Sequence, residues 1–267
     1  MTRSRGQFTM TEPPEARTAG RASAELADTP LQRETLVGHI RRRLYADLAS
    51  PRRRYRREIV SASESADAIL DIGCGYEAPD LAAIPNCDAD RVGIDMVSDF
   101  RPERAPGVVF IVGNSEHLPF RNESFSLVIC RSVLEHVVHP QRVFEEISRV
   151  LKPGGQFRFL TPNRWDYVSL GASVIPNSMH GRLVKAMTGR DEEDTFPTFY
   201  RANSRNTLQR LAKDSGLVVE RLEMLREHPH YLQFNPLAYL AGAAFELTVQ
   251  KLIPASRPWI LGTLSKP

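Results

Sequence analysis

The chain has 267 residues, 42% of them hydrophobic and 25% charged, with a net charge of +3. That length accommodates one large α/β domain with appended segments, and so small a positive balance excludes a whole-surface nucleic-acid signal. Three cysteines, Cys74, Cys87 and Cys130, include no C-x-x-C pair, which excludes a disulfide framework and a structural zinc and points to a reducing, cytoplasmic setting.

Residues 1–30 carry Pro, Thr, Ala, Arg and Glu with almost no large apolar side chains, the composition of a disordered tail. Residues 31–267 are expected to form one domain. From Leu31 to Val60 the pattern is helical, with Leu36, Ile40, Leu44 and Leu48 on one stripe. Two basic clusters interrupt it, Arg41 to Arg43 and Arg52 to Arg54 with Arg56 and Arg57. They read as a solvated helix face or as contacts to phosphates on an acidic substrate, a membrane surface or RNA.

Apolar or β-branched runs occupy 68–72, 91–94, 108–112, 125–130, 156–161, 217–225 and 258–265. Helical patterns separate several of them, most clearly Gln141 to Leu151, stopped by Lys152-Pro153-Gly154. Strands alternating with crossover helices predict a largely parallel sheet covered on both faces, with ligands beyond the carboxyl ends of its strands. Two long connections, 162–203 and 236–254, read as lids or binding loops. The second, "FNPLAYLAGAAFELTVQKLI", is strongly apolar yet too short to span a bilayer. Core packing, a lid, a dimer face and an interfacial helix are its four readings.

The first strand runs into "ILDIGCGYEAPD" (69–80), which fits two turns. As G-x-G-x-x-A it would cradle a dinucleotide pyrophosphate; as D-x-G-x-G its acid is the informative residue. Asp95, ending "RVGID" twenty residues after Gly75, suits a ribose diol in either case. Asp71 separates the readings. A carboxylate two residues before the first glycine sets negative charge near a pyrophosphate, but it stabilises the sulfonium and ammonium of S-adenosylmethionine.

Five segments in register, "ILDIGCG", "VGID", "GNSEHLPF", "FSLVICRSVLEHV" and "VLKPGG", extend this reading over residues 65–161. In them the chain resembles the class I S-adenosylmethionine-dependent methyltransferases that modify small molecules. The resemblance implies a Rossmann-like fold: a seven-stranded, mostly parallel sheet with helices on both faces, an antiparallel last strand and lid inserts. It implies S-adenosylmethionine as cofactor, with Asp71, Gly73, Cys74 and Gly75 at its methionine end and Arg131 meeting the methionyl moiety. Asp95 would bind the ribose, Met96 pack on adenine, and Asn114, Ser115 and Glu116 recognise the adenine edge.

Three positions depart from the family's pattern. Glu77 stands for a glycine and Ser126 for an aspartate. Ser132 stands for the first acid of an E-x-x-E-H metal motif, leaving Glu135 and His136 an incomplete ligand set, so no metal is expected. His136, past the fourth strand, is the candidate general base, its alternative a structural histidine bonded to backbone. Asn163, Tyr167, His180, Tyr200 and Arg201 are the candidate acceptor contacts, and Asn203 or Ser204 a helix cap. The expected reaction is methyl transfer to a small-molecule, sugar or lipid-linked acceptor, at oxygen, by a monomer or homodimer with peripheral membrane contact as an option. An NAD(P)-dependent oxidoreductase and an RNA methyltransferase are the alternatives.

Overall fold

The computed structural model describes residues 35–46, 48–85, 88–166, 196–229, 232–233 and 235–267. The expected 1–30 tail, Tyr167 and His180 lie outside these residues. Two helices, not one, precede the sheet: α1 (Leu36–Tyr45) and α2 (Pro51–Ser63). The break arises at Pro51, which holds Ser50 in extended backbone (ψ 143°) and serves as the first residue of a new helix. Ser50 caps that helix by accepting from the Arg53 amide at 3.2 Å. The predicted stripe is not a buried one: Leu36 is 63% exposed, Leu44 is also exposed, and α1 buries Val37 instead.

The sheet comprises β1 (Ala68–Ile72), β2 (Asp90–Asp95), β3 (Val108–Val112), β4 (Phe125–Arg131), β5 (Leu151–Pro162), β6 (Val218–Leu225) and β7 (Trp259–Ser265). Its order is β3-β2-β1-β4-β5-β7-β6, and only β7 runs antiparallel to its neighbours. The order reverses between β1 and β4, the switch point where an open α/β sheet leaves a crevice. Lys152 to Gly155 do come after the end of a helix, α4 (Pro140–Val150), but they already belong to β5.

Side chains alternate across each strand, so every strand feeds two cores. Leu70, Val128, Phe157 and Phe159 pack on one face with Phe144 and Ile147 of α4 and Leu208 and Leu211 of α5 (Arg205–Asp214). Ile69, Leu127, Ile129 and Leu160 pack on the other with Tyr55 and Ile59 of α2. Ser126, where the family pattern has an acid, accepts from the Asp67 amide at 3.0 Å and pins the start of β1 to β4.

The carboxyl ends of β1, β2, β4 and β5 lie together along one edge of this sheet. The chain also leaves β6 at that edge, at Leu225, and re-enters β7 at Trp259, which pairs with Leu225, so the connection between them starts and ends there. This connection holds α6 (Pro236–Leu252). Helix α1 packs against α6, with the Tyr45 hydroxyl donating to Glu246 at 3.4 Å.

Candidate active site

The turn after β1 is built around two left-handed glycines, Gly73 at φ 73° and Gly75 at φ 66°. A Cβ on Gly73 would lie 2.1 Å from Val133 Cγ2, so the loop after β4 rests directly on that glycine. A Cβ on Gly75 would meet nothing within 4 Å; its backbone faces open space. Cys74 between them turns the other way, its thiol buried beside Gly93, so only its backbone is at the turn. Glu77, the atypical residue, pairs with Arg101 at 2.9 Å and ties the turn to the chain after β2.

The turn is a poor phosphate cradle. It leads into α3 (Pro79–Ala82), a single turn of helix whose first residue is proline and therefore offers no N–H there. The next residue is Asp80, a buried acid. An anion would meet a missing donor and a carboxylate where dinucleotide folds present a long helix N-terminus.

A cation fits. Asp71 is 2% exposed at the end of β1, and burial, reinforced by Asp80, pushes its carboxyl well above the usual carboxylate range while Arg131 pulls it down. Arg131, ending β4, donates from Nε to Asp80 Oδ2 at 2.5 Å, and Arg56 of α2 approaches Asp80 Oδ1 at 3.9 Å. Ser132 then takes φ 57°, turning the chain sharply after Arg131. A positive ligand at Asp71 would relieve the cost of ionising it. Asp80 was not among the residues expected from sequence. Its position in a one-turn helix, five residues after Gly75, became meaningful only when the fold brought Arg131 to it.

Asp95 closes β2 beside the turn. Its Oδ2 accepts from the Gly75 amide at 2.7 Å and its Oδ1 from the Val97 amide at 3.2 Å. Each carboxylate oxygen keeps a second lone pair, so the held group can still accept from a diol. Met96 comes next, 66% exposed, an apolar side chain displayed at the site's rim. The expected adenine contacts follow β3, with Asn114 exposed. Asn114 Oδ1 accepts from the Glu116 amide at 2.9 Å in an Asx turn, and Glu116 Oε1 accepts from the His139 amide at 2.9 Å. Asn114 thus shapes its own turn and Glu116 ties that turn to the start of α4; Ser115 is half-buried between them.

Beyond Arg131 the loop carries Glu135 and His136. Pro197 O lies 2.9 Å from His136 Nδ1, an arrangement that needs the proton on Nδ1 and leaves Nε2 a base. Glu135 is buried, and burial raises its carboxyl above its ordinary range while the neighbouring His136 lowers it. Its Oε1 is 3.9 Å from His136 Nε2 and its Oε2 accepts from the Thr161 hydroxyl at 3.3 Å. Asn203 Nδ2 in turn donates to Thr161 Oγ1 at 2.6 Å. The amides of Phe199 and Tyr200 both donate to Glu135 O, at 2.7 and 3.1 Å, so the described end of the first insert lies across this loop. Among the described residues no group of three or more His, Cys, Asp or Glu side chains is placed to hold a metal ion.

The acceptor candidates separate. Asn163 is fully buried; its amide donates to Ala255 O at 2.7 Å and to Arg257 O at 2.8 Å, holding the α6–β7 connection to the end of β5. It is a structural clamp, with no face left for an acceptor. Arg201 donates to Val138 O at 2.7 Å and lies over the Phe199 ring, which turns it toward the start of α4. Tyr200, at φ 52°, stays beside Glu135. Ser204 caps α5 through the Thr207 amide, and Asn203 is the buried partner of Thr161.

The buried acids and the glycine turn thus gather at the β1/β4 switch point, where open α/β sheets bind their ligands, in surroundings that favour a cation over a phosphate. In agreement, a family model described as methyltransferase domain matches residues 70–159. Similar proteins include the demethylmenaquinone methyltransferase of Paenarthrobacter aurescens, 36% identical over 39% of this chain and 43% of that protein. Another is the phthiotriol/phenolphthiotriol dimycocerosates methyltransferase of Mycobacterium leprae, 31% identical over 39% of this chain and 41% of that protein. The matches therefore span less than half the length of these relatives. The solved geranyl diphosphate C-methyltransferase of Streptomyces coelicolor, with S-adenosyl-L-homocysteine bound, superposes over 80% of this chain and 76% of its own at TM-score 0.53 and 17% identity, which shows the shared fold. Residues 70–159 thus match a methyltransferase domain, and the sheet has the fold of a solved methyltransferase that binds S-adenosyl-L-homocysteine.

Proposed function

We propose that the protein methylates a hydroxyl oxygen of an apolar, lipid-like acceptor, using S-adenosylmethionine. The cofactor supplies a methyl group already activated on a sulfonium, so the chain's task is to align and to manage one proton. Asp71 and the open backbone at Gly75 are suited to its cationic methionine end, Arg131 to its carboxylate, and Asp95 to its ribose.

The observation that carries the hydroxyl assignment is the orientation of His136. Its Nδ1 is committed to Pro197 O, so Nε2 can accept the acceptor's proton as the oxygen takes the methyl group. Such a base contributes about 10²–10⁴-fold. Buried Glu135, held by Thr161, is placed to stabilise the imidazolium that results. For the acceptor's apolar character, support comes from the greasy α6 at the same edge and from the quinone and lipid named for the two relatives.

Two measurements test this reading. Thermal shifts with S-adenosylhomocysteine and with NAD should show stabilisation by the first alone; stabilisation by NAD alone overturns it. With labelled methyl donor, long-chain alcohols and reduced demethylmenaquinone should accept label at oxygen. His136→Gln should lower turnover without weakening S-adenosylhomocysteine binding. Label on carbon or nitrogen, with turnover untouched by His136→Gln, removes the oxygen assignment.

A further inference from the structure

Helix α6 faces the wrong way for a core helix. Its buried side is Tyr239, Ala243, Glu246 and Gln250, and its solvent side carries Leu237 (79% exposed), Leu240, Phe245 and Leu252 (74% exposed). At 100° per residue these four, with Ala241 and Ala244, fall on one arc, which also carries exposed Thr248 and Lys251. Ile253, just past the helix, is also exposed. An exposed apolar surface of this kind marks an interaction site.

We infer that the outer face of α6, together with the arginines of α1, docks the protein on an anionic lipid surface. Three observations select a membrane. First, the polar side of α6 is anchored: Glu246 accepts from Tyr45, and the segment after the helix is clamped by Asn163, so the helix is held with its apolar arc outward. Second, α1, which packs on α6, exposes Arg41, Arg42 and Arg43 beside exposed Leu36 and Leu44. Basic side chains flanking an apolar arc are what anionic headgroups and acyl chains jointly demand. In the second cluster Arg54 is paired with Glu223 at 2.8 Å and Arg56 approaches Asp80 at 3.9 Å. Third, α6 lies at the sheet edge that carries the glycine turn and His136. A helix of 17 residues, about 25 Å long, laid flat on a bilayer would bring that edge to the membrane without spanning it. None of the described helices is long and apolar enough to cross.

The test uses the full chain and needs neither acceptor nor methyl donor, so its outcome is separate from that of the acceptor assignment. Co-sedimentation is measured with phosphatidylcholine vesicles and with mixed phosphatidylcholine–phosphatidylglycerol vesicles. The wild type should partition onto the mixed vesicles, less so as salt rises. Leu237→Ser/Leu240→Ser/Leu252→Ser should lower partitioning at least about tenfold. Arg41→Gln/Arg42→Gln/Arg43→Gln should lower it roughly a hundredfold and abolish the salt dependence. An unchanged thermal shift with S-adenosylhomocysteine certifies that each variant is folded, and the single Leu237→Ser, at the most exposed position, serves if the triple is not. Failure of the wild type to bind mixed vesicles overturns the inference. So does wild-type partitioning in the folded leucine variant, or a dimer that this variant dissolves while vesicle binding persists, which would assign the face to a second copy.

Discussion

Two regions at the carboxyl edge of the sheet break the usual rule of burial in opposite senses. Between β1 and β4 the chain buries charge: Asp71, Asp80 and Glu135 sit almost wholly out of water. On α6 it exposes grease: Leu237, Leu240, Phe245 and Leu252 face outward while Glu246 and Gln250 are buried. Buried charge and exposed apolar arcs both cost free energy in the isolated chain. Such costs persist where a ligand relieves them, a cation in the first region and acyl chains in the second. Apolar content does not by itself decide which side of a helix is buried. Helix α4 buries Phe144 and Ile147 between sheet and α5, whereas α6, in the β6–β7 connection, packs on α1 and buries Tyr239, Ala243, Glu246 and Gln250.

The largest effect should come from the buried charge. Asp71→Asn is expected to weaken S-adenosylhomocysteine or S-adenosylmethionine binding by about 2–5 kcal/mol, read by calorimetry. The same substitution should raise the melting temperature of the free protein. With its carboxyl raised in the folded state, Asp71 binds its proton more tightly there than in the unfolded chain, where it ionises near 3.8. Its contribution to stability is therefore full below that value and declines as pH rises toward the folded value, a loss the asparagine removes. Cofactor affinity runs the other way, rising with pH over the same window, because binding a cation releases the proton. An affinity independent of pH in the wild type would break the pairing of buried charge with a cationic ligand.

A smaller effect distinguishes burial for function from burial for structure. Asn163→Ala should destabilise the fold by about 1–3 kcal/mol by orphaning the Ala255 and Arg257 carbonyls, with S-adenosylhomocysteine affinity unchanged. Denaturant melts and calorimetry check both halves. Glu77→Gly removes a partly exposed pair with Arg101 and should cost no more than about 1 kcal/mol of stability, with a small change in cofactor affinity. Smallest of all, Leu237→Ser on the outer arc should shift stability by less than about 0.5 kcal/mol. A large destabilisation there would show the arc to be covered within the chain and collapse the contrast between the two regions.

Much of this edge was legible in the residues. The order Asp71-x-Gly73-x-Gly75, then Asp95, then Arg131 was readable because each motif is local: a strand end, a tight turn and one side chain, and the fold sets them along the same sheet edge. The seven apolar runs correspond to the seven strands for the same reason, since alternation and glycine punctuation act over a few residues. Where two distant segments had to meet, the residues alone misled. Asn163 looked available for an acceptor and proved to be buried under the α6–β7 connection. Asp80 and Thr161 drew no notice, because their meaning lies in Arg131 and Glu135, which only the sheet brings to them.

What the sequence determined by itself is therefore the sheet, its glycine turn and the chemical type of ligand, all set by short-range sterics and by one acid whose charge excludes a phosphate. What only the tertiary structure decided is direction. Periodicity places Leu36, Ile40 and Leu44 on one stripe and α6 among apolar segments, but no pattern of hydrophobicity says whether a neighbour lies on that side. Burial depends on which layer faces a helix, and here α6 meets α1 through the side that carries Glu246, leaving its apolar arc exposed.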